Sequence, residues 1–96
     1  MSKTFEVDVP RGSVAHKKIA FTNPYPSRHT FHLRSTHPWL LFFRPERMDM
    51  PPAGTRPMGL TFDARDAAPQ TTELLVFVND EDDKTEECFR IRVHVT

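Results

Sequence analysis

The sequence predicts an all-β fold, an antiparallel sandwich of seven short strands, and three observations predict it. Apolar residues recur at every second position in one run after another. Turn formers, nine prolines and three glycines among them, interrupt those runs at a spacing of roughly 8–12 residues, as sandwiches require. No longer segment carries the helical period, so helix is expected to be close to absent. Residues 19–38 organise the rest. Within them Ile19 and Phe21 come first and Phe31 and Leu33 later, and Pro24 and Pro26 between the two pairs force a turn that no helix crosses.

Along the chain, Phe5, Val7 and Val9 alternate with polar residues and form a first strand, stopped at Pro10 and Gly12. Residues 14–22 form the second. Its adjacent Lys17 and Lys18 must point to opposite faces, so one of them falls at a bulge or beyond the covered part of the sheet. Residues 29–35 are the third strand. The run 39–43 (Trp39, Leu40, Leu41, Phe42, Phe43) is apolar on both faces and reads as a strand buried on both sides or one crossing between sheets. Residues 45–55, rich in proline, read as loop, with Met48 and Met50 capping one end of the core. Met58, Leu60 and Phe62 mark the fifth strand, whose start at Pro57 is unpaired or at an edge. Leu74, Val76 and Val78 share one face and Leu75 and Phe77 the other, so this sixth strand is central. Residues 79–84 are a turn, and Phe89, Ile91, Val93 and Val95 mark the last strand.

At 96 residues the chain is expected to form one domain over residues 1–96, too small for a large internal active-site cavity. No apolar run is long enough to cross a membrane as a helix, and Met1, Ser2 and Lys3 lead into no secretory signal. Cys88 is the sole cysteine, which excludes an intrachain disulfide and favours a reducing compartment, hence the cytoplasm. Thirteen basic and thirteen acidic residues cancel, which argues against broad nucleic-acid binding. The halves differ: residues 1–48 hold eight basic against three acidic residues, and residues 49–96 five against ten. Interleaving of the halves in a sandwich is the plain reading; a dipolar module stacked head to tail is the sharper one.

An ordered set of short motifs carries a resemblance. Phe21-Thr22-Asn23-Pro24, Phe31-His32-Leu33-Arg34-Ser35-Thr36, Arg44-Pro45, Gly54 and Leu60-Thr61-Phe62 follow the pattern of the major sperm protein family and its relatives in ciliary and centrosomal proteins. Within that group, VDVPRGSVAHKKIAFTNPYPSR, STHPWLLFFRPER and FVNDEDDKTEECFR resemble a carboxyl-terminal domain of the nephrocystin-4 family, large scaffolds of the ciliary transition zone. The resemblance implies an immunoglobulin-like sandwich excised from a larger scaffold, with no enzyme activity and no cofactor. It implies a place at the cilium base and centrosome, with other nephrocystins and related transition-zone scaffolds as partners. The VAP receptor branch reads acidic phenylalanine-containing peptides with a basic surface that includes a Lys-x-Met step on the sixth strand. Here that strand reads Thr72-Glu73-Leu74-Leu75, and Glu73 repels such a peptide, although Arg34 matches a basic residue of that branch.

No catalytic constellation is present. His29 and His32 are three apart on a strand and face opposite sides; His16, His37 and His94 have no second ligand at metal spacing. Ser13, Ser27, Ser35 and Cys88 lie in no nucleophile motif, and no Gly-x-Gly step forms a phosphate loop. Asp80, Asp82 and Asp83 are the best cation candidates, completed by Asp63 and Asp66 if the two loops share an end; a solvated hairpin tip is the preferred reading. For the run 39–43 core packing is preferred; its functional reading leaves Trp39 or Phe42 exposed as a partner's anchor. The expected function is therefore protein–protein interaction, with Trp39, Phe42, Arg34 and Arg44 as the partner-binding residues and without membrane insertion. The alternatives are a calcium-dependent membrane-docking sandwich using residues 79–83 and a receptor for short linear peptides.

Overall fold

The computed structural model describes residues 3–96. Met1 and Ser2, on which the expected lack of a secretory signal rests in part, lie outside the described residues. The chain runs β1 (Lys3–Val9), β2 (Val14–Thr22), β3 (His29–Ser35), β4 (Leu41–Arg44), β5 (Arg47–Met50), β6 (Thr55–Asp63), β7 (Gln70–Asn79) and β8 (Thr85–Val95). A five-stranded sheet of order β1-β8-β7-β3-β5 faces a three-stranded sheet of order β2-β6-β4. All pairings are antiparallel except that of β1 with β8. The described residues contain no helix, and none long and apolar enough to cross a membrane.

Alternation explains the packing. Ile19 and Phe21 of β2, Phe31 and Leu33 of β3, Met58, Leu60 and Phe62 of β6, and Leu74, Val76 and Val78 of β7 are all buried in one core. Phe21 and Phe31 meet edge to face across the two sheets, with ring centroids 4.9 Å apart. β7 lies between β8 and β3, so the expectation that it is central is met. At the turn after β2, buried Asn23 donates its amide to the carbonyls of Ser27 (2.9 Å) and Pro51 (3.1 Å) and accepts from the Tyr25 amide (3.0 Å). That side chain supplies hydrogen bonds which the prolines around it cannot donate.

Four expectations change. There are eight strands, not seven, because Arg47–Met50 lies inside the stretch read as loop. Met48 and Met50 stand opposite Phe31 and His29 and bury completely, so the pairing with β3 overrides the flanking prolines. Trp39 is not a buried strand residue: the strand begins at Leu41, and Trp39 is 72% exposed. Pro57 does not put β6 at an edge, since β6 is the middle strand of its sheet. The β4 ladder stops at Gly59, however, so Pro57 has a strand neighbour on the β2 side alone. Lys17 and Lys18 pair with Leu60 and Gly59 in unbroken register, so there is no bulge, and Lys17, on the face of Ile19 and Phe21, is exposed. Both halves of the chain contribute strands to both sheets, which interleaves their opposite charge.

Candidate functional site

The residues singled out for partner contact gather around β4. Before it, the His37 carbonyl accepts from the amides of Leu40 (3.0 Å) and Leu41 (2.9 Å), closing a tight turn. Thr36 anchors this turn to β7: its amide donates to the Leu75 carbonyl, and its hydroxyl accepts from the Leu75 amide, both at 3.0 Å. Leu40 and Leu41 point into the core, so Trp39 at the crest of the turn points out. Its indole lies against His37, with ring centroids 5.1 Å apart. The two rings border a depression of about 540 Å³ that continues over Asp63, Ala67 and Thr72.

A second depression, of about 470 Å³, lies on the outer face of the three-stranded sheet. Residues there line up in rows across the strands. His16, Thr61 and Phe42 form one row, with His16 Nδ1 and Thr61 Oγ1 3.1 Å apart. Lys18, Gly59 and Arg44 form the next. The Arg44 guanidinium stands 5.9 Å from the centre of the Phe42 ring. Asp63, shared with the Trp39 depression, is bound by Arg65 through Nε at 2.9 Å and Nη2 at 2.7 Å. Those two hydrogen bonds, with one from the Arg65 amide, hold its carboxyl down to about 2 from an ordinary 3.8. A third, shallower crevice lies between β3 and β4 and contains Arg34, Pro38 and Phe42. Trp39, Phe42, Arg44 and Arg34 thus occupy three adjoining depressions, with Phe42 shared by two of them.

The acidic hairpin is a different place. Asp80 is buried, and its Oδ1 accepts from the amides of Asp82 and Lys84, each at 2.9 Å. Glu81 binds the His29 ring and accepts from the Thr30 amide at 2.8 Å, which lowers its pKa, the Thr30 amide contributing most. Asp83 takes a left-handed backbone (φ 62°) and accepts from the Asn79 side chain at 3.2 Å. Carboxylates of Asp80, Glu81 and Asp82 do come within 4.8 Å of one another. Asp63 and Asp66 do not join them: Asp63 ends β6 and precedes β7, whereas residues 79–83 follow β7. Ten extended residues separate those ends, about 30 Å at the rise of a strand. The two-loop calcium arrangement is therefore not formed.

On the five-stranded sheet, where the VAP branch reads its acidic phenylalanine motif, the basic surface is not formed either. Glu73 forms an ion pair with Arg90 at 3.0 Å and accepts from Arg92 Nε at 3.2 Å, neutralising the cations beside it, and Arg34 stands 3.9 Å from Asp83. Sequence reasoning missed Lys18, Gly59, His16 and Thr61 as one surface. Their only signal is the register of strands some forty residues apart, which alternation within a strand does not encode.

Comparison with known proteins places this geometry. The family described as NPH4 Ig-like domain 4 matches residues 2–96. Nephrocystin-4 of Homo sapiens is 42% identical over 95 residues, covering 97% of this chain and 7% of that protein. Nephrocystin-4 of Xenopus laevis is 35% identical over 99 residues, with the same two coverages. The chain therefore spans 7% of the length of the curated relatives it matches. SSP-19, an MSP-domain protein-like family member of Caenorhabditis elegans, superposes with a TM-score of 0.60 at 14% identity, over 94% of this chain and 92% of that one. That likeness is one of fold, and it bears out the immunoglobulin-like, major-sperm-protein-type sandwich.

Proposed function

The chain belongs to the NPH4 Ig-like domain 4 family, a family of non-catalytic scaffold modules, and from that membership we propose that residues 1–96 serve as one protein–protein interaction domain of a larger ciliary or centrosomal scaffold. Its partners in this reading are other nephrocystins and related transition-zone scaffolds, and its place is the cytoplasm at the cilium base. The surface that binds them is built from Trp39, Phe42, Arg44 and Arg34.

One observation carries the reading: Trp39 is 72% exposed while its neighbours Leu40 and Leu41 are buried. A large apolar side chain held out of a core that has room for its neighbours is unfavourable for the isolated chain, and burial on a partner recovers ~1.5–3 kcal/mol. Aromatic residues beside arginine are the usual centres of binding energy. The test is calorimetric titration of the chain against individual transition-zone scaffold proteins, then of Trp39→Ala. Binding to at least one of them, weakened tenfold or more by Trp39→Ala with the fold intact, is expected. Equal affinity for Trp39→Ala, Phe42→Ala and Arg34→Glu would overturn the assignment.

A further inference from the structure

We propose that the outer face of the three-stranded sheet docks an extended acidic segment of a partner protein, a carboxylate lying between Lys18 and Arg44 and an apolar side chain against Phe42. This rests on the interaction-module reading and assigns the chemistry of the partner.

Register is the first support. Lys18 on β2 and Arg44 on β4 both stand opposite Gly59 on β6, so the residue between them has no side chain. With strands ~4.8 Å apart, their Cα atoms are about 10 Å apart, and both side chains are long enough to reach a group between them. Glycine is enforced there by packing, because a Cβ on Gly59 would lie 2.5 Å from the Arg44 carbonyl oxygen. The gap between the two cations is thus a fixed part of the sheet.

Charge is the second. Lys18 and Arg44 line this depression on the outer face, with Lys17 beside them on the edge strand β2, and among the described residues none of them is in an ion pair. Asp63, the one acid on its rim, is taken by the bidentate Arg65 contact. The face therefore carries unbalanced positive charge in a chain whose net charge is zero, and an acidic partner complements it. Phe42 supplies apolar surface beside the cations. Size decides the partner's class. Nucleic acids are held through roughly six to ten phosphate contacts and anionic bilayers by clusters of about four to eight basic residues. A short depression with two unpaired cations on its face and a third at its edge suits a few carboxylates on a peptide.

The test titrates the isotope-labelled chain with a capped hexapeptide of alternating Glu and Phe, with its Lys-for-Glu counterpart, and with phosphatidylserine–phosphatidylcholine vesicles. The Glu–Phe peptide is expected to move the amide signals of Lys18, Gly59 and Phe42 to saturation, and the Lys–Phe peptide to leave them in place. Lys18→Glu should weaken the Glu–Phe peptide at least tenfold with an unchanged circular dichroism spectrum; Arg44→Glu is the second variant. No response at these amides, unchanged affinity in the charge-reversed variants, or a response to vesicles without one to the peptide would overturn the proposal. A scaffold partner whose binding falls with Trp39→Ala but not with Lys18→Glu overturns this inference alone. Indifference to both substitutions overturns the wider reading.

Discussion

Gly59→Ala tests the closest backbone approach in the sandwich. No left-handed backbone is required at Gly59, so alanine is conformationally allowed there and reduces the entropy of the unfolded chain, a gain of ~0.4–1 kcal/mol. Against this, the new Cβ meets the Arg44 carbonyl oxygen at 2.5 Å, about an ångström inside ordinary contact. The obstacle is backbone of a paired strand and cannot rotate away. To relieve it, β4 must move off β6, which disturbs Leu41 and Phe43 in the core. Overpacking of this kind costs ~1–3 kcal/mol. The balance is a net loss of about 1–2 kcal/mol, and at ~4–8 °C per kcal/mol for a chain of this size the melting midpoint should fall by roughly 5–15 °C. Thermal unfolding followed by circular dichroism reads this directly. A midpoint at or above that of the unsubstituted chain would refute the close approach, and with it the fixed gap between Lys18 and Arg44.

Two further outcomes follow from hydrogen bonding. Asn23→Ala leaves part-buried carbonyls of the turn without their donor and the Tyr25 amide without its acceptor; the expected cost is ~1–3 kcal/mol, seen as a lower urea midpoint at unchanged slope, and a loss below half of one kcal/mol would contradict that role. The Asp63 carboxyl should titrate at about 2 by carbon-detected NMR, and Arg65→Ala should return it towards 3.8. Because the folded value is the lower one, the stabilisation from this pair is complete above 3.8 and fades as the pH falls towards 2. An ordinary midpoint in the unsubstituted chain would exclude the bidentate contact.

What was legible in the sequence was alternation. β2 and β3 occupy the residues expected of them because each carries an alternating apolar pair and ends at proline or a turn. β5 was illegible. Four residues, two of them charged, become a strand only through pairing with β3, and nothing within Arg47–Met50 announces that partner. The run 39–43 failed for another reason: a continuous apolar stretch does not say which member is left outside. The carbonyl of His37 decides that, by closing the turn that turns Trp39 outward. The candidate site was legible only in part. Trp39, Phe42, Arg34 and Arg44 were identified by residue type, but the row Lys18–Gly59–Arg44 exists only once three strands are in register. The calcium arrangement failed because the whole of β7 lies between its two halves.

The one parallel pairing has a mechanical consequence. Lys3 sits beside Phe89 and Val9 beside Val95, so β1 starts alongside the interior of β8 and the two strands finish together. The first described residue and the last are therefore about 20 Å apart along the strand direction, at the rise of an extended chain. Tension applied at those two points slides β1 along β8 and loads all seven register pairs at once instead of peeling them one by one. Within a long protein this domain would transmit pull in line and yield late.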